Sequence, residues 1–299
     1  MEFKFSSKSP YSYIKYDGYN GVHKDTEYYM VPKPEETINA RGLYDIFSKI
    51  DNALVDLLNV GRLCLDDDRE NVKFATTLFF VEQYGLLGFM TEAPINDNFL
   101  LNDKVVLKEG NFISKKNIMK TSEYFDLFFP FANKEEMSYS VSNNEVTINS
   151  NSDLQKLLRN TSINNQLIYS GFYCEQIDWI VEYAKKMYKI FKSIIEFSDM
   201  DSNSYDLSKA KDIIDNYHFV GVPCKIVMHG SEPTICWQPN SLKQALDLAF
   251  GFIMCDEKNP IKECKHCGKI FLSKNPKAEY CSPQCRNKAN VYKSREKNK

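Results

Sequence analysis

The stretch Cys264-Lys265-His266-Cys267, followed after a thirteen-residue spacer that opens on Gly268 by Cys281-Ser282-Pro283-Gln284-Cys285, sets the architecture of the C-terminal end of this chain. The pairs are C-x2-C and C-x3-C. Together they supply four thiolates, the donor set that tetrahedral zinc takes in closed structural sites. Each pair fits on one tight turn. Gly268 follows the first, where a metal-binding knuckle needs a positive φ. Ser282 is expected to cap a helix with Pro283 at its first position, which puts Cys285 in the first turn, near the positive end of the helix. Knuckle, hairpin and helix in that order describe a treble-clef-like, four-cysteine zinc finger over 262–299. Cys264, Cys267, Cys281 and Cys285 are the expected ligands of one structural Zn2+, and Phe271 and Tyr280 the expected small core. A segment this short cannot build an adequate core from side chains alone, so metal is expected to be part of its fold. His266 lies between two better-spaced thiols and reads as a solvated knuckle residue.

Charge changes sign at the finger. Residues 262–299 hold nine Lys and two Arg against Glu263, Glu279 and Glu296, a net +8, so with a chain total of −2 the preceding residues carry −10. A basic end on an acidic body implies an anionic partner for that end, although a tetrathiolate centre, itself negative, accounts for part of the excess. The helix predicted after Cys285 presents Arg286, Lys288, Lys293, Arg295 and Lys297. Arg286, Lys293 and Lys297 fall near one face, and Asn287 and Asn290 are capable of base-edge contacts. The pattern fits a partner such as DNA or RNA. The alternative is a finger that serves folding or protein–protein contact.

Upstream, Ser241-Leu242-Lys243-Gln244 reads as a capping box for a helix to about Cys255 that is apolar nearly all round, hence buried. Val222–Met228 and Pro233–Trp237 flank a turn sequence and predict a small β-hairpin. Apolar residues at three- and four-residue spacing predict a long helix from Gln166 to Glu196, roughly 45 Å at 1.5 Å per residue, serving as a spine, a bundle element or a homodimer interface. On it Glu175, Asp178 and Glu182 share a face and read as solvated. Leu43 to Leu58 predict another helix, beginning near Asn39 and ending at Gly61, and Val72 to Gly85 a third. A short buried helix ends at Pro130, a further one spans Leu207–Asn216, and 138–153 read as an internal loop or hairpin. The body, 1–255, is therefore expected to be a predominantly helical α+β domain with a small β-hairpin.

The 299 residues carry 43% apolar and 26% charged side chains, enough for a sizeable core. No stretch reaches the roughly 18 uninterrupted apolar residues of a membrane span, and the first residues lack a signal pattern, so a cytoplasmic location is expected. Nine cysteines in such a chain read as metal ligands or free thiols. Cys64 and Cys174 are expected in the core, and Cys224, Cys236 and Cys255 are expected near one another. There is no P-loop, G-x-G-x-x-G, G-x-S-x-G or H-E-x-x-H, and no enzymatic activity is expected.

Cys281-Ser282 and Cys285-Arg286-Asn287-Lys288-Ala289, with Tyr292 and Arg295 beyond, resemble the C-terminal finger of CGNR-type bacterial zinc-finger proteins. Arg286 stands where that motif has glycine and Lys288 where it has arginine, and both cysteine pairs are more tightly spaced. The helix before the finger, Ser241–Cys255, sits where those proteins have one. The resemblance implies a mostly helical N-terminal domain, a zinc-binding tail and a role in transcription regulation. The body also resembles Gram-positive bacterial proteins of a domain-of-unknown-function type with such a tail.

Overall fold

The computed structural model describes residues 12–33, 43–93, 104–107, 110–132, 139–142, 145–148, 170–199, 208, 211–212, 222–256, 260–275 and 277–297. Its N-terminal strands are β1 (Ser12–Ile14), β2 (Tyr19–Lys24) and β3 (Glu27–Pro32). β4 (Leu43–Asp45) pairs antiparallel with β1. The helix expected from near Asn39 begins later. After β4, Asp45 accepts a hydrogen bond from the Phe47 amide and caps a single 3-10 turn, and α1 then runs over Ile50–Asp66. Gly61 does not end α1 but lies in its interior. A Cβ built on it would sit 2.1 Å from the Ala184 carbonyl oxygen, so the glycine is there for close helix approach.

α2 (Glu70–Tyr84) follows α1. In the connection between them, Asp68 lies 2.6 Å from the Lys185 ammonium. β5 (Lys104–Val106) pairs with β6 (Ile118–Lys120), and α3 (Thr121–Phe128) ends just before Pro130. β7 (Tyr139–Ser142) and β8 (Glu145–Ile148) form the hairpin expected there. The long helix starts eleven residues later than expected. Glu175-Gln176 are the short strand β9, paired with β3, and α4 covers Ile177–Asp199, roughly 35 Å. Pairing with β3 captures Glu175-Gln176, which helical periodicity alone assigns to the helix.

β10 (Cys224–His229) and β11 (Glu232–Trp237) form the predicted hairpin. Cys224 pairs with Trp237, and Cys236 with Lys225, so the two cysteines lie on opposite faces, one exposed and one buried. Cys255 is exposed, so the three thiols do not share a buried cluster. α5 (Leu242–Met254) starts at Ser241, whose hydroxyl accepts from the Gln244 amide. The helix expected at Leu207–Asn216 lies outside the described residues except Ser208, Lys211 and Asp212, which are helical. β12 (Ile261–Glu263), β13 (Ile270–Leu272) and α6 (Pro283–Lys297) complete the chain.

The result is an α+β architecture: helices around one core, with small antiparallel sheets at its margin. α1 lies at the centre against α2, α4, α5 and β13. Leu54, Leu57 and Leu58 of α1 and Ile180, Ala184, Met187 and Phe191 of α4 are fully buried, so the apolar stripe of α4 is spent within the chain. Cys64 and Cys174 are buried as expected. No helix among the described residues is long and apolar enough to cross a membrane.

A buried segment, Tyr84 to Ala93, runs through this core. Backbone amides cannot be left without partners there, and Glu175 supplies them. Its carboxylate accepts from the amides of Leu87, Gly88 and Phe89 at 2.8, 2.6 and 2.9 Å and from the Tyr173 hydroxyl at 2.7 Å. Glu175 is thus a core anchor rather than part of a solvated helix face. Lys243 of α5 lies nearby. Its amide donates to the Leu87 carbonyl, and its ammonium sits 2.7 Å from Glu92 and 2.9 Å from Asp247. Asp247 also accepts from the Tyr183 hydroxyl. These pairings make the polar positions on α5 compatible with its burial.

Candidate metal centre

β12 and β13 pair with Ile261 opposite Leu272 and Glu263 opposite Ile270, so the knuckle is the turn of this hairpin. The Cys264 amide donates to the Lys269 carbonyl, and the Gly268 amide to the Cys264 carbonyl. Gly268 has φ +69°, the left-handed conformation expected for it. The second pair sits where the cap predicts. Ser282 accepts from the Cys285 amide at 3.2 Å, Pro283 opens α6, and Cys285 lies in its first turn. The Lys265 amide donates to the Glu279 carbonyl and its ammonium pairs with the Glu279 side chain at 2.6 Å, which holds the spacer against the knuckle.

The four sulfur atoms of Cys264, Cys267, Cys281 and Cys285 lie within 4.8 Å of one another. The separations are 3.7 Å for Cys267–Cys281, 3.6 Å for Cys281–Cys285 and 3.7 Å for Cys285–Cys267. A disulfide would need about 2.05 Å. A cation with metal–sulfur bonds of about 2.3 Å at the centre of a tetrahedron gives edges of about 3.8 Å, which these distances match. The residues therefore fit a metal ion of zinc's coordination habit. Cys264 is buried, Cys267 is exposed, and Cys281 and Cys285 are half-buried.

Electrostatics in the absence of a cation divide the four. Burial opposes ionisation of Cys264, but amide donors from Cys281, Cys267 and His266 outweigh it and bring the thiol down to about 6. Burial raises Cys267. Burial and the neighbouring sulfurs of Cys285, Cys264 and Cys267 push Cys281 up to about 12. One thiolate is therefore favoured at Cys264, and metal entry must displace protons from Cys267 and Cys281.

The finger is fastened to the body by residues that local patterns did not single out. The Asn59 side chain of α1 donates to the Ile270 carbonyl at 2.9 Å and accepts from the Ile270 amide at 3.0 Å. It pairs with β13 as a neighbouring strand would. Lys192 of α4 reaches Glu263 at 2.7 Å. Ile261 and Ile270 are buried in the body's own hydrophobic cluster, whereas the expected finger core residues Phe271 and Tyr280 are only half-buried. Side chains alternate along a strand, so turning Ile270 and Leu272 towards α1 turns Phe271 away. Asn59→Ala strips both partners from a part-buried peptide group and is expected to cost roughly 1–3 kcal/mol. Thermal unfolding, together with faster amide exchange at Ile270, checks this, and an unchanged melt would exclude the clamp.

Arg286, Lys288, Lys293 and Arg295 lie on α6 with exposed side chains, and Lys297 is its last residue. From Pro283 to Arg295 only Cys285 and Ala289 are partly covered. Compared with family models, with curated proteins and with solved structures, the chain matches none. What the fold and the site define together is an α+β chain whose C-terminal four-cysteine cluster can hold a metal ion.

Proposed function

We propose that this chain is a zinc-binding protein whose finger presents α6 to a nucleic acid, in the manner of a regulator. The observation that carries the reading is a four-sulfur tetrahedron at the root of an exposed helix bearing five cations against Glu296. Isolated helices of this length are marginal in water, and like charges weaken them further. The metal-bound first turn fixes the start of α6, and phosphate would offset the repulsion along it. The donor set favours zinc, since four thiolates in tetrahedral array suit it and the cluster forms on a short finger that needs a structural ion. The likeness to CGNR-type proteins supports a role in transcription regulation, with the helical body dimerising or responding to a signal.

Binding through α6 has a salt signature. If all five cations meet phosphates, the log–log slope of affinity against salt is about −4.5 on duplex DNA and about −3.5 on single strands. Fluorescence anisotropy between about 50 and 200 mM salt measures it. Lys288→Glu combined with Arg295→Glu is expected to abolish binding while the metal is retained. Absence of binding to any polynucleotide at about 50 mM salt would sink the reading and leave the finger as a folding element clamped to α1.

A further inference from the structure

Among the described residues, α6 carries two exposed large apolar side chains in the midst of its cations. Val291 is 49% exposed and Tyr292 is 56% exposed. An aromatic residue on a helix that lies against no core serves little folding purpose when more than half of it faces water. The Tyr292 ring lies against the imidazole of His266 in the knuckle, with ring centroids 5.8 Å apart and planes 25° apart. The contact braces α6 against the knuckle without burying the tyrosine. It also assigns a use to His266, which the metal cluster leaves out.

The cations are placed accordingly. Residues three and four apart on a helix are neighbours, so Lys288, Tyr292 and Arg295 share one flank with Val291 beside them. Arg286 and Lys293, seven residues apart, lie on another. A helix about 10–12 Å across fills a DNA major groove about 12 Å wide. With the knuckle set against Tyr292, the Lys288–Arg295 flank has little room to enter such a groove. A flexible strand has no such constraint, because its bases can splay out and stack on a ring while its phosphates meet the flanking cations.

We propose that the Lys288–Tyr292–Arg295 flank of α6, extended by His266, binds single-stranded polynucleotide, with a base stacked on Tyr292 and phosphates paired to Lys288 and Arg295. This rests on the nucleic-acid reading above and specifies its ligand. Stacking tolerates any base, so the surface has little sequence preference.

The test uses the full-length, zinc-loaded chain and short labelled oligo-dT, oligo-U and a mixed-sequence duplex of matched length. Tyr292→Ala is expected to weaken both single strands by about 5- to 150-fold, the contribution of one base–aromatic stack. The salt slope should stay unchanged, because no phosphate contact is lost. Tyr292→Phe keeps the ring and should stay within about twofold of wild type, which separates stacking from any hydroxyl role. Lys288→Ala should instead reduce the slope by about 0.7. Retained metal and helicity in Tyr292→Ala show that α6 is intact, and Tyr292→Phe decides the matter should the alanine variant lose them. The relative affinity of oligo-dT and oligo-U tells a DNA source from an RNA one. Tyr292→Ala binding as tightly as wild type, Tyr292→Phe binding as weakly as an intact alanine variant, or a preference for duplex overturns this proposal alone. Failure to bind any of the three probes overturns it together with the nucleic-acid reading.

Discussion

Stripping the metal from the full chain, or changing Cys264→Ser, is expected to unfold the knuckle and α6 and to lower the stability of the helical body as well. Structural zinc supplies roughly 10–16 kcal/mol of apparent binding free energy in isolated fingers at neutral pH. Among the described residues the knuckle and α6 have no closed core of their own, since Phe271 and Tyr280 are only half-buried. The effect on the body comes through the hairpin. Ile261 and Ile270 lie in the same cluster as Leu54 and Met187, and the knuckle is the turn that keeps their strands in register. Each such side chain contributes about 1.5–3 kcal/mol when fully buried, so losing the hairpin removes a few kcal/mol from the body.

Acid should act in the same direction. With Cys267 raised and Cys281 pushed up to about 12, both thiols hold protons at neutral pH and compete with the cation. Cys264, at about 6, takes up its own proton as the pH falls through that value. Metal entry displaces these protons, so affinity falls as the solution is acidified, by roughly two decades per pH unit while Cys267 and Cys281 are both protonated and more steeply below about 6. Elemental analysis, thermal melts with and without chelator, and hydrogen exchange of peptides from 261–297 and 50–66 read the three consequences. If α6 keeps its protection and the melt does not move once the metal is gone, the cluster is not what organises this end of the chain.

What could be read in the sequence was what is local. The cysteine spacings, the Ser282-Pro283 cap and the turn at His229-Gly230-Ser231-Glu232 each depend on residues a few positions apart, and each appears in the structure where its chemistry puts it. Elements that depend on distant partners were not legible. No local pattern singles out Asn59 on α1, yet it clamps Ile270, 211 residues away. Glu175 fitted a helical spacing with Asp178 and Glu182, but its burial reflects three amides of the Leu87–Phe89 segment that no periodicity reports. The start of α4 was misplaced for a related reason. Helical period and strand pairing compete for Glu175-Gln176, and only the presence of β3 beside them decides it.

Gly61 is the sharpest of these cases, and Gly61→Ala carries the second large expected effect. Read locally, a glycine after Leu57-Leu58 ends a helix. Inside a helix it is a weak point whose replacement by alanine should stabilise by about 0.8–1.0 kcal/mol. The structure reverses that sign. At Gly61 α1 meets α4, and a Cβ there would stand 2.1 Å from the Ala184 carbonyl oxygen, 2.5 Å from its carbon and 3.0 Å from the Lys185 nitrogen. These are backbone atoms of a packed helix, so no rotamer change can relieve the overlap. α1 and α4 must separate, disturbing the core to which Leu54 and Leu58 of α1 and Ile180 and Met187 of α4 all belong. Overpacking of this kind costs about 1–3 kcal/mol and sometimes more. The expected net result is a lower melting temperature by roughly 1–5 °C for a chain of this size. Because the obstructing atoms belong to the main chain, Ala184→Gly should not rescue the variant. Asn52→Ala, exposed on the same helix, should stay within about 0.5 kcal/mol. A Gly61→Ala protein that melts at or above the wild-type temperature would show that α1 and α4 do not approach as closely as the structure places them, and with them the platform on which Asn59 holds the finger.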